Sequence, residues 1–223
     1  MSLLIRHLGQ CDYQDCYRQM VEFTQRRSQE TQDEIWFLQH PPVYTLGLAG
    51  KTEHLLAPGD IPVIRTDRGG QVTYHGPGQL LVYLLIDLKR RRLAIKSLVQ
   101  VIEQTVIDLL ADLGLPGARR PRAPGVYVDG GKIAALGIRV RNGCSYHGFS
   151  LNVDLDLSPY QGINPCGYPG LKTTRLKDYG VNLDVRQVAR ALQPFLLNNL
   201  EYDPADIEVV TAPDIPNRLE AIA

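Results

Sequence analysis

The chain has 223 residues, of which 44% are hydrophobic and 22% charged, with 24 basic side chains against 24 acidic ones. Such a composition suits a globular protein with a substantial core, and the balanced charge gives no global field for nucleic acid or an anionic membrane. The longest apolar run, Leu80 to Ile86, falls far short of the ~20 residues that a bilayer span needs, and Met1 to Gln10 carries no secretory pattern. The expectation is a soluble, cytoplasmic monomer. Cys11, Cys16, Cys144 and Cys166 form no C-x-x-C pair and no zinc spacing with the five histidines, so free thiols and neither metal nor cofactor are expected.

Taken along the chain, Tyr13, Cys16, Tyr17, Met20 and Thr24 recur at helical spacing and predict an amphipathic helix through about Arg27. Short strands at Ile35 to Leu38 and Val43 to Leu46 flank the turn at Pro41-Pro42. Two more, Pro62 to Thr66 and Gln71 to Tyr74, bracket Gly69-Gly70, and Leu80 to Ile86 reads as a central strand apolar on both faces. Ile95, Leu98, Val99, Ile102, Val106, Leu109, Leu110 and Leu113 make one face of a helix that Gly114 stops. Val126 to Val128 and Lys132 to Val140 flank Asp129-Gly130-Gly131, a hairpin signal, and Asn142-Gly143 turns the chain into a strand from Tyr146 to Val153. Residues 158–174 are a Pro/Gly-rich loop, Val185 to Leu197 a helix containing Pro194, and Ile207 to Val210 a last strand. Hairpins around two or three helices, without alternating strand–helix units, predict one α+β domain over residues 1–223.

Thr45-Leu46-Gly47-Leu48-Ala49-Gly50-Lys51-Thr52 resembles the end of a phosphate-binding loop, but Thr stands where the first glycine belongs. Pro58 also arrives too soon for the helix whose N-terminus would hold the phosphate. A dinucleotide fingerprint and a G-x-S-x-G elbow are absent.

Three segments are unusual. From Arg68 to Leu80, four glycines and a proline surround a short strand, dense in Arg, Gln, Thr, Tyr and His. The segment is either a bulged turn or a place where backbone closely approaches a ligand. Lys132 opens the strand Lys132 to Val140, and strict alternation groups it with Ala134, Leu136 and Ile138, opposite Ile133, Ala135, Gly137 and Arg139. Its amine either reaches water or is partly desolvated. Cys166 lies between Pro165 and Gly167 in an irregular loop, either as a bystander or as a presented nucleophile.

Together, R-G-G-Q-V-T-Y-H-G-P-G-Q-L at 68–80, K-I-A-A-L-G-I-R at 132–139, H-G-F-S-L-N-V at 147–153 and N-P-C-G at 164–167 resemble the lipoyl(octanoyl) transferases of the biotin/lipoate protein ligase superfamily. The resemblance implies that superfamily's class II synthetase-like fold, a mixed, largely antiparallel sheet with packed helices. It also implies an acyltransferase of lipoate biosynthesis. The octanoyl donor would be acyl carrier protein, and the acceptors lysines on the lipoyl domains of 2-oxoacid dehydrogenase complexes and on the glycine cleavage protein. Cys166 would carry the acyl thioester with Lys132 as its partner. The acyl site would be lined by Arg68, Gly69, Gly70, Gln71, Val72, Thr73, Tyr74 and His75, by Ala135, Leu136 and Gly137, and by Gly148, Phe149 and Ser150.

The chemistry suits those residue types. A free thiol with a pKa of ~8.5 is little ionised at neutral pH, and a nearby ammonium favours its thiolate. The same lysine would take the proton of an incoming amine. Ala134, Ala135 and Gly137 would leave room for the chain, at roughly 0.8 kcal/mol per buried methylene. Backbone N–H groups near Gly76 to Gly78 or in the Cys166 loop would hold the oxyanion. His75 is expected in the site through its motif, His147 as an orienting residue, and Thr173 and Thr174 as local caps. Arg119, Arg120 and Arg122 form either a solvated loop or the rim that meets an acidic carrier. The rival readings are an ATP-dependent lipoate or biotin ligase of the same fold and a silent acyl-binding protein.

Overall fold

The structure, a computed structural model, describes residues 2–211. Its elements begin with β1 (Leu3–Gln10), α1 (Tyr13–Arg26), β2 (Asp33–Gln39), β3 (Val43–Leu46), β4 (Val63–Arg65), β5 (Val72–His75) and β6 (Gln79–Leu85). There follow α2 (Ile95–Asp112), β7 (Ala118–Arg119), β8 (Val126–Val128), β9 (Gly131–Arg141), β10 (Cys144–Asn152), α3 (Val185–Asn199) and β11 (Ile207–Thr211).

Eight strands form one sheet in the order β11-β1-β2-β6-β10-β9-β8-β7, and β4-β3-β5 form a smaller one. In the large sheet β1 runs parallel to β2 and β11, and every other pairing is antiparallel. Central β6 explains the layering. Leu80, Val82 and Leu84 pack into the core shared with α2 and α3, while Leu81, Tyr83 and Leu85 pack against Cys16 and Met20 of α1. Alternation on a strand buried on both faces thus divides the protein into two apolar layers.

Side-chain chemistry sets the helix ends. Asp12 caps α1 by accepting from the amides of Gln14 and Asp15, and Asp184 and Gln187 form a reciprocal capping box on α3. Pro194 removes one amide from α3, yet the helix runs on to Asn199 because Val188, Ala189, Leu192 and Leu196 stay buried on either side. Strand β1 goes beyond the sequence reading, which found no element there; its apolar signal is only Leu3 to Ile5. Buried Asp33 accepts from Arg27 at 2.5 Å, Arg90 at 2.7 Å, Tyr202 at 2.7 Å and the Asp87 amide at 2.9 Å. It joins the end of α1 to the segment after β6 and to Tyr202 beyond α3.

Candidate functional site

The site is built on β9, where the alternation read from sequence fails. Val126 of β8 pairs with Ala134, but Tyr127 pairs with Lys132, so β9 holds one extra residue at Ile133. Such a bulge slips the alternation by one. Ile133 and Ala134 both enter the core, and Lys132 lines the cavity together with Ala135, Leu136 and Gly137 instead of grouping with Ala134. Ala134 therefore packs in the core and is not part of this cavity's lining.

Lys132 is only 5% exposed. Its amide donates to Lys172 O at 2.8 Å and its carbonyl accepts from the Thr174 amide at 3.1 Å, which binds the chain beyond Cys166 alongside it. Nζ donates to Pro124 O at 3.0 Å and to Cys166 Sγ at 3.3 Å, and stands 5.3 Å over the Tyr127 ring. Cys166 occupies a single 3₁₀ turn, Pro165–Gly167, with left-handed backbone at φ 57° and ψ 16°. The Asn164 amide donates to His54 O at 2.9 Å and the Tyr168 amide to Pro165 O at 3.0 Å, fixing the turn from both ends. The structure thus brings together a lysine and a cysteine 34 positions apart.

A cavity of about 370 Å³ opens beside this pair, within the roughly 300–1,000 Å³ usual for small-molecule sites. Its floor is a patch of small residues. Ser150 pairs with Ala135 and with Leu81, and Gly148 pairs with Gly137 and with Tyr83. Its roof is Arg68 to Thr73 together with His75. Tyr74 is the exception among the residues expected there. Alternation along β5 turns its ring into a separate cluster with Tyr44, Leu46 and Tyr160. Leu136 and Phe149 line the cavity while also packing on the core. Ile95 and Val99 of α2, with Ala123, Pro124 and Tyr168, also line the cavity; Ile95 is 53% and Tyr168 51% exposed, so this side opens to solvent.

Buried Arg68 has no carboxylate partner among the described residues. Its guanidinium donates to Thr45 O at 2.6 Å, Gln71 O at 2.8 Å, Gly69 O at 2.8 Å and Thr45 Oγ1 at 2.9 Å. Burial pushes its pKa down, and these oxygens replace the lost hydration. The guanidinium pins the roof. Gly47 must be glycine here, since a Cβ would stand 2.4 Å from Gly70 O; the segment that resembled a phosphate loop is part of this clamp.

Tyr13, His75, Tyr83 and His147 bring polar residue types to the cavity, with His40 packed behind them, yet their polar tips are engaged elsewhere. His75 Nδ1 donates to Gln79 Oε1 at 2.7 Å and Nε2 accepts from the Thr45 hydroxyl at 3.3 Å. His40 Nδ1 donates to Cys11 O at 2.7 Å, which fixes Nε2 as acceptor for the Tyr83 hydroxyl at 2.6 Å. Tyr13 donates to Thr66 Oγ1 at 3.2 Å. Burial drives the His75 pKa down to about 3 and that of His40 to about 4, so both rings are neutral at ordinary pH. His147 is also lowered by burial despite donating to Asp67 at 3.2 Å. Burial pushes Asp67 the other way, but hydrogen bonds from His147 and Tyr146 outweigh it and hold the carboxyl at about 2. What faces the cavity is therefore uncharged ring surface, suited to an alkyl chain.

Other expectations need revision. The Gly76 to Gly78 turn is not part of the cavity; the Gly78 amide donates to Gln39 Oε1 at 2.8 Å, so it holds no oxyanion beside Cys166. Arg119 is tied to Glu103 at 3.0 Å and Gln104 at 2.9 Å, and Arg120 to Gly130 O at 2.8 Å over the Tyr127 ring. Thr174 donates to Asp178 at 3.1 Å, as a local cap should. Tyr13, Tyr83, Ile95, Val99 and the Pro124 carbonyl were not anticipated in the site; as sequence they read as helix faces, core and loop. Among the described residues no helix is long and apolar enough to cross a membrane.

The lipoyl protein ligase A/B catalytic domain family model matches residues 12–196. An octanoyltransferase of Chromobacterium violaceum is 56% identical over 200 residues, 90% of this chain and 97% of that protein. An octanoyltransferase of Azoarcus sp. is 59% identical over 201 residues, 90% and 88% of the two chains. Among solved structures, a lipoate-protein ligase A bound with ATP has a TM-score of 0.76 at 16% identity, over 99% of this chain and 92% of that one. Biotin protein ligase from Aquifex aeolicus has 0.52 at 13%, over 89% and 69%. The likeness to these structures shows the fold: the mixed, largely antiparallel sheet with packed helices is that of the biotin and lipoate ligases.

Proposed function

Because the chain belongs to the lipoyl protein ligase A/B catalytic domain family and is an acyltransferase, an octanoyltransferase of protein lipoylation, we propose that Cys166 carries the octanoyl group as a thioester between two protein partners. The donor is octanoyl-acyl carrier protein and the acceptor a lysine of a lipoyl domain.

In the first half-reaction Cys166 Sγ attacks the donor's thioester carbonyl. A new S–C bond forms, the donor's C–S bond breaks, and Lys132 passes the Cys166 proton to the departing donor thiol. One thioester replaces another, so no ATP is consumed. In the second, the acceptor amine attacks the acyl carbon, a C–N bond forms, and the bond to Sγ breaks. Lys132, hydrogen-bonded to Sγ, takes the proton of the amine and returns it to the sulfur. The Pro124 carbonyl and the Tyr127 ring hold Nζ on the line of transfer. The acyl chain runs over Ala135, Gly137, Gly148 and Ser150 toward the uncharged rings of Tyr13 and Tyr83.

One observation carries this reading: Nζ of Lys132 lies 3.3 Å from Sγ of Cys166 at the mouth of a cavity floored by small residues. The protein is to be incubated with octanoyl-acyl carrier protein, without ATP, and its intact mass measured. A gain of one octanoyl group that disappears in Cys166→Ala supports the proposal. No adduct, with activity appearing only when ATP and free octanoate are added, overturns it in favour of a ligase.

A further inference from the structure

Strand β9 is paired continuously beyond Ala134 on one side only. There, β10 matches it from Ala134 to Arg141. On the other side β8 stops at the pair Val126–Ala134, and the next contact is the Gly69 amide donating to Ile138 O at 3.1 Å. In an antiparallel ladder a residue's N–H and C=O point the same way, and residues two apart share that direction. The Ile138 carbonyl points away from β10, so the amide and carbonyl of Leu136 do too. Among the described residues no strand meets them: β8 has ended and the Gly69 loop has not yet arrived.

The gap has fixed walls. Arg68 holds the carbonyls of Gly69 and Gln71 on one side, and Pro124 stands on the other as acceptor for Lys132. Leu136, Gly69, Gln71 and Pro124 all line the cavity, as does the exposed Ile95. The gap is thus a slot one residue wide, with one donor and one acceptor spaced for an extended amide. Backbone groups left without a partner when a ligand covers them cost about 1–3 kcal/mol, so the slot favours an occupant with an amide of its own.

Its position names the occupant. Ala135, the neighbour of Leu136, borders Cys166 together with Thr73 and Ser150. In a donor of the pantetheine type, two methylenes separate the thioester sulfur from the first amide of an extended arm. With the sulfur at Cys166 and the acyl chain toward Tyr13 and Tyr83, that arm leaves on the solvent-facing side of exposed Ile95 and Tyr168, past Leu136. We propose that the backbone of Leu136 binds the first amide of the donor's pantetheine arm as an added strand residue, its carbonyl accepting from the arm's N–H and its amide donating to the arm's C=O. This is strand addition to a free sheet edge, and it rests on the thioester donor proposed above.

The test compares two small donors on the full chain: S-octanoyl-N-acetylcysteamine, and its analogue in which an ester oxygen replaces the amide N–H. Rates of Cys166 loading are read by intact mass and divided by each donor's rate with free cysteine. The amide donor should load roughly 5-fold faster, about the worth of one net hydrogen bond. Leu136→Pro, which removes the amide that would donate to the arm's C=O but keeps the carbonyl that reads the N–H, should slow loading from both donors and leave the amide preference in place. Equal loading of both donors by the unaltered protein overturns the inference, and that comparison needs no variant, so misfolding of Leu136→Pro leaves it decisive. If neither these donors nor octanoyl-acyl carrier protein loads Cys166, the thioester mechanism itself falls. Octanoyl-coenzyme A and octanoyl-acyl carrier protein carry the same arm. Faster loading from the carrier assigns the arm to a protein and equal loading to the free cofactor, with the amide preference standing in both.

Discussion

Acid should unfold this protein through the histidines behind its cavity. His40 and His75 have folded pKa values of about 4 and about 3, against 6.5 for the free side chain. For a base held neutral by burial, the unfolded chain takes up a proton that the folded one refuses. Stability is therefore intact above pH 6.5 and falls as the pH drops below it, down to the folded pKa. Between pH 7 and pH 5 each histidine removes about 2 kcal/mol, ~4 kcal/mol for the pair, out of a typical total of 5–15 kcal/mol. Asp67, held at about 2, has the opposite form: its contribution is present above about pH 4 and fades only below that, outside this window. Urea unfolding across pH 5 to 7, followed by the fluorescence of the single, buried Trp36, measures the loss. His40→Gln should remove one proton from the slope. A free energy of unfolding that is flat across the window, or a slope unchanged in His40→Gln, would refute the neutral-wall argument.

Further outcomes follow from single residues. Lys132→Met should slow both half-reactions by roughly 10²- to 10⁴-fold in single-turnover experiments; a loss confined to one of them would contradict its part in both proton transfers. Asp33→Asn strips the charge from a carboxylate shared by two guanidinium groups and should cost about 3–5 kcal/mol in urea unfolding, a loss under about 1 kcal/mol showing the cluster to be incidental. Arg122, exposed beside the cavity-lining Ala123 and Pro124, is the arginine left for the proposed rim role, since Arg119 and Arg120 are engaged. Arg122→Glu should slow loading from an acidic carrier at low salt and spare S-octanoyl-N-acetylcysteamine; an equal loss with both donors would remove that role.

Much of the fold was legible because its signals are local. The periodic apolar faces of α1 and α2, the Asp129-Gly130 turn and the two-faced strand β6 each declare themselves within a dozen residues. Strand β1 does not, since three apolar residues become a strand only through parallel partners 30 and 204 positions away. The site shows the same division. Its words at 68–80, 132–139 and 164–167 stand out, but their geometry depends on one bulged residue. Ile133 looks like any strand residue, and only pairing with β8 reveals that it slips Lys132 onto the cavity side. Likewise no sequence pattern tells that Tyr83 and His40 share a hydrogen bond, or that Arg68 reaches the Thr45 carbonyl, because those partners lie 43 and 23 positions away.

The second irregularity is at Cys166 itself, and it bears on what the loop is for. At φ 57° and ψ 16° a residue with a Cβ sits where only glycine is at ease, a strain of roughly 1–2 kcal/mol. Gly167 follows with φ 78°, so the turn already holds one glycine and a second would relax it. If the strain is borne to present the sulfur to Lys132, removing the Cβ should be rewarded with stability as activity is lost. Glycine returns some of that gain through its freer unfolded chain, about 0.4–1 kcal/mol. Cys166→Gly should therefore be about 0.5–1 kcal/mol more stable than Cys166→Ala, although both lack the thiol. Urea unfolding of the two variants side by side decides it. If Cys166→Ala proves as stable as Cys166→Gly, the turn is relaxed as it stands, and the geometry at Cys166 owes nothing to stored strain.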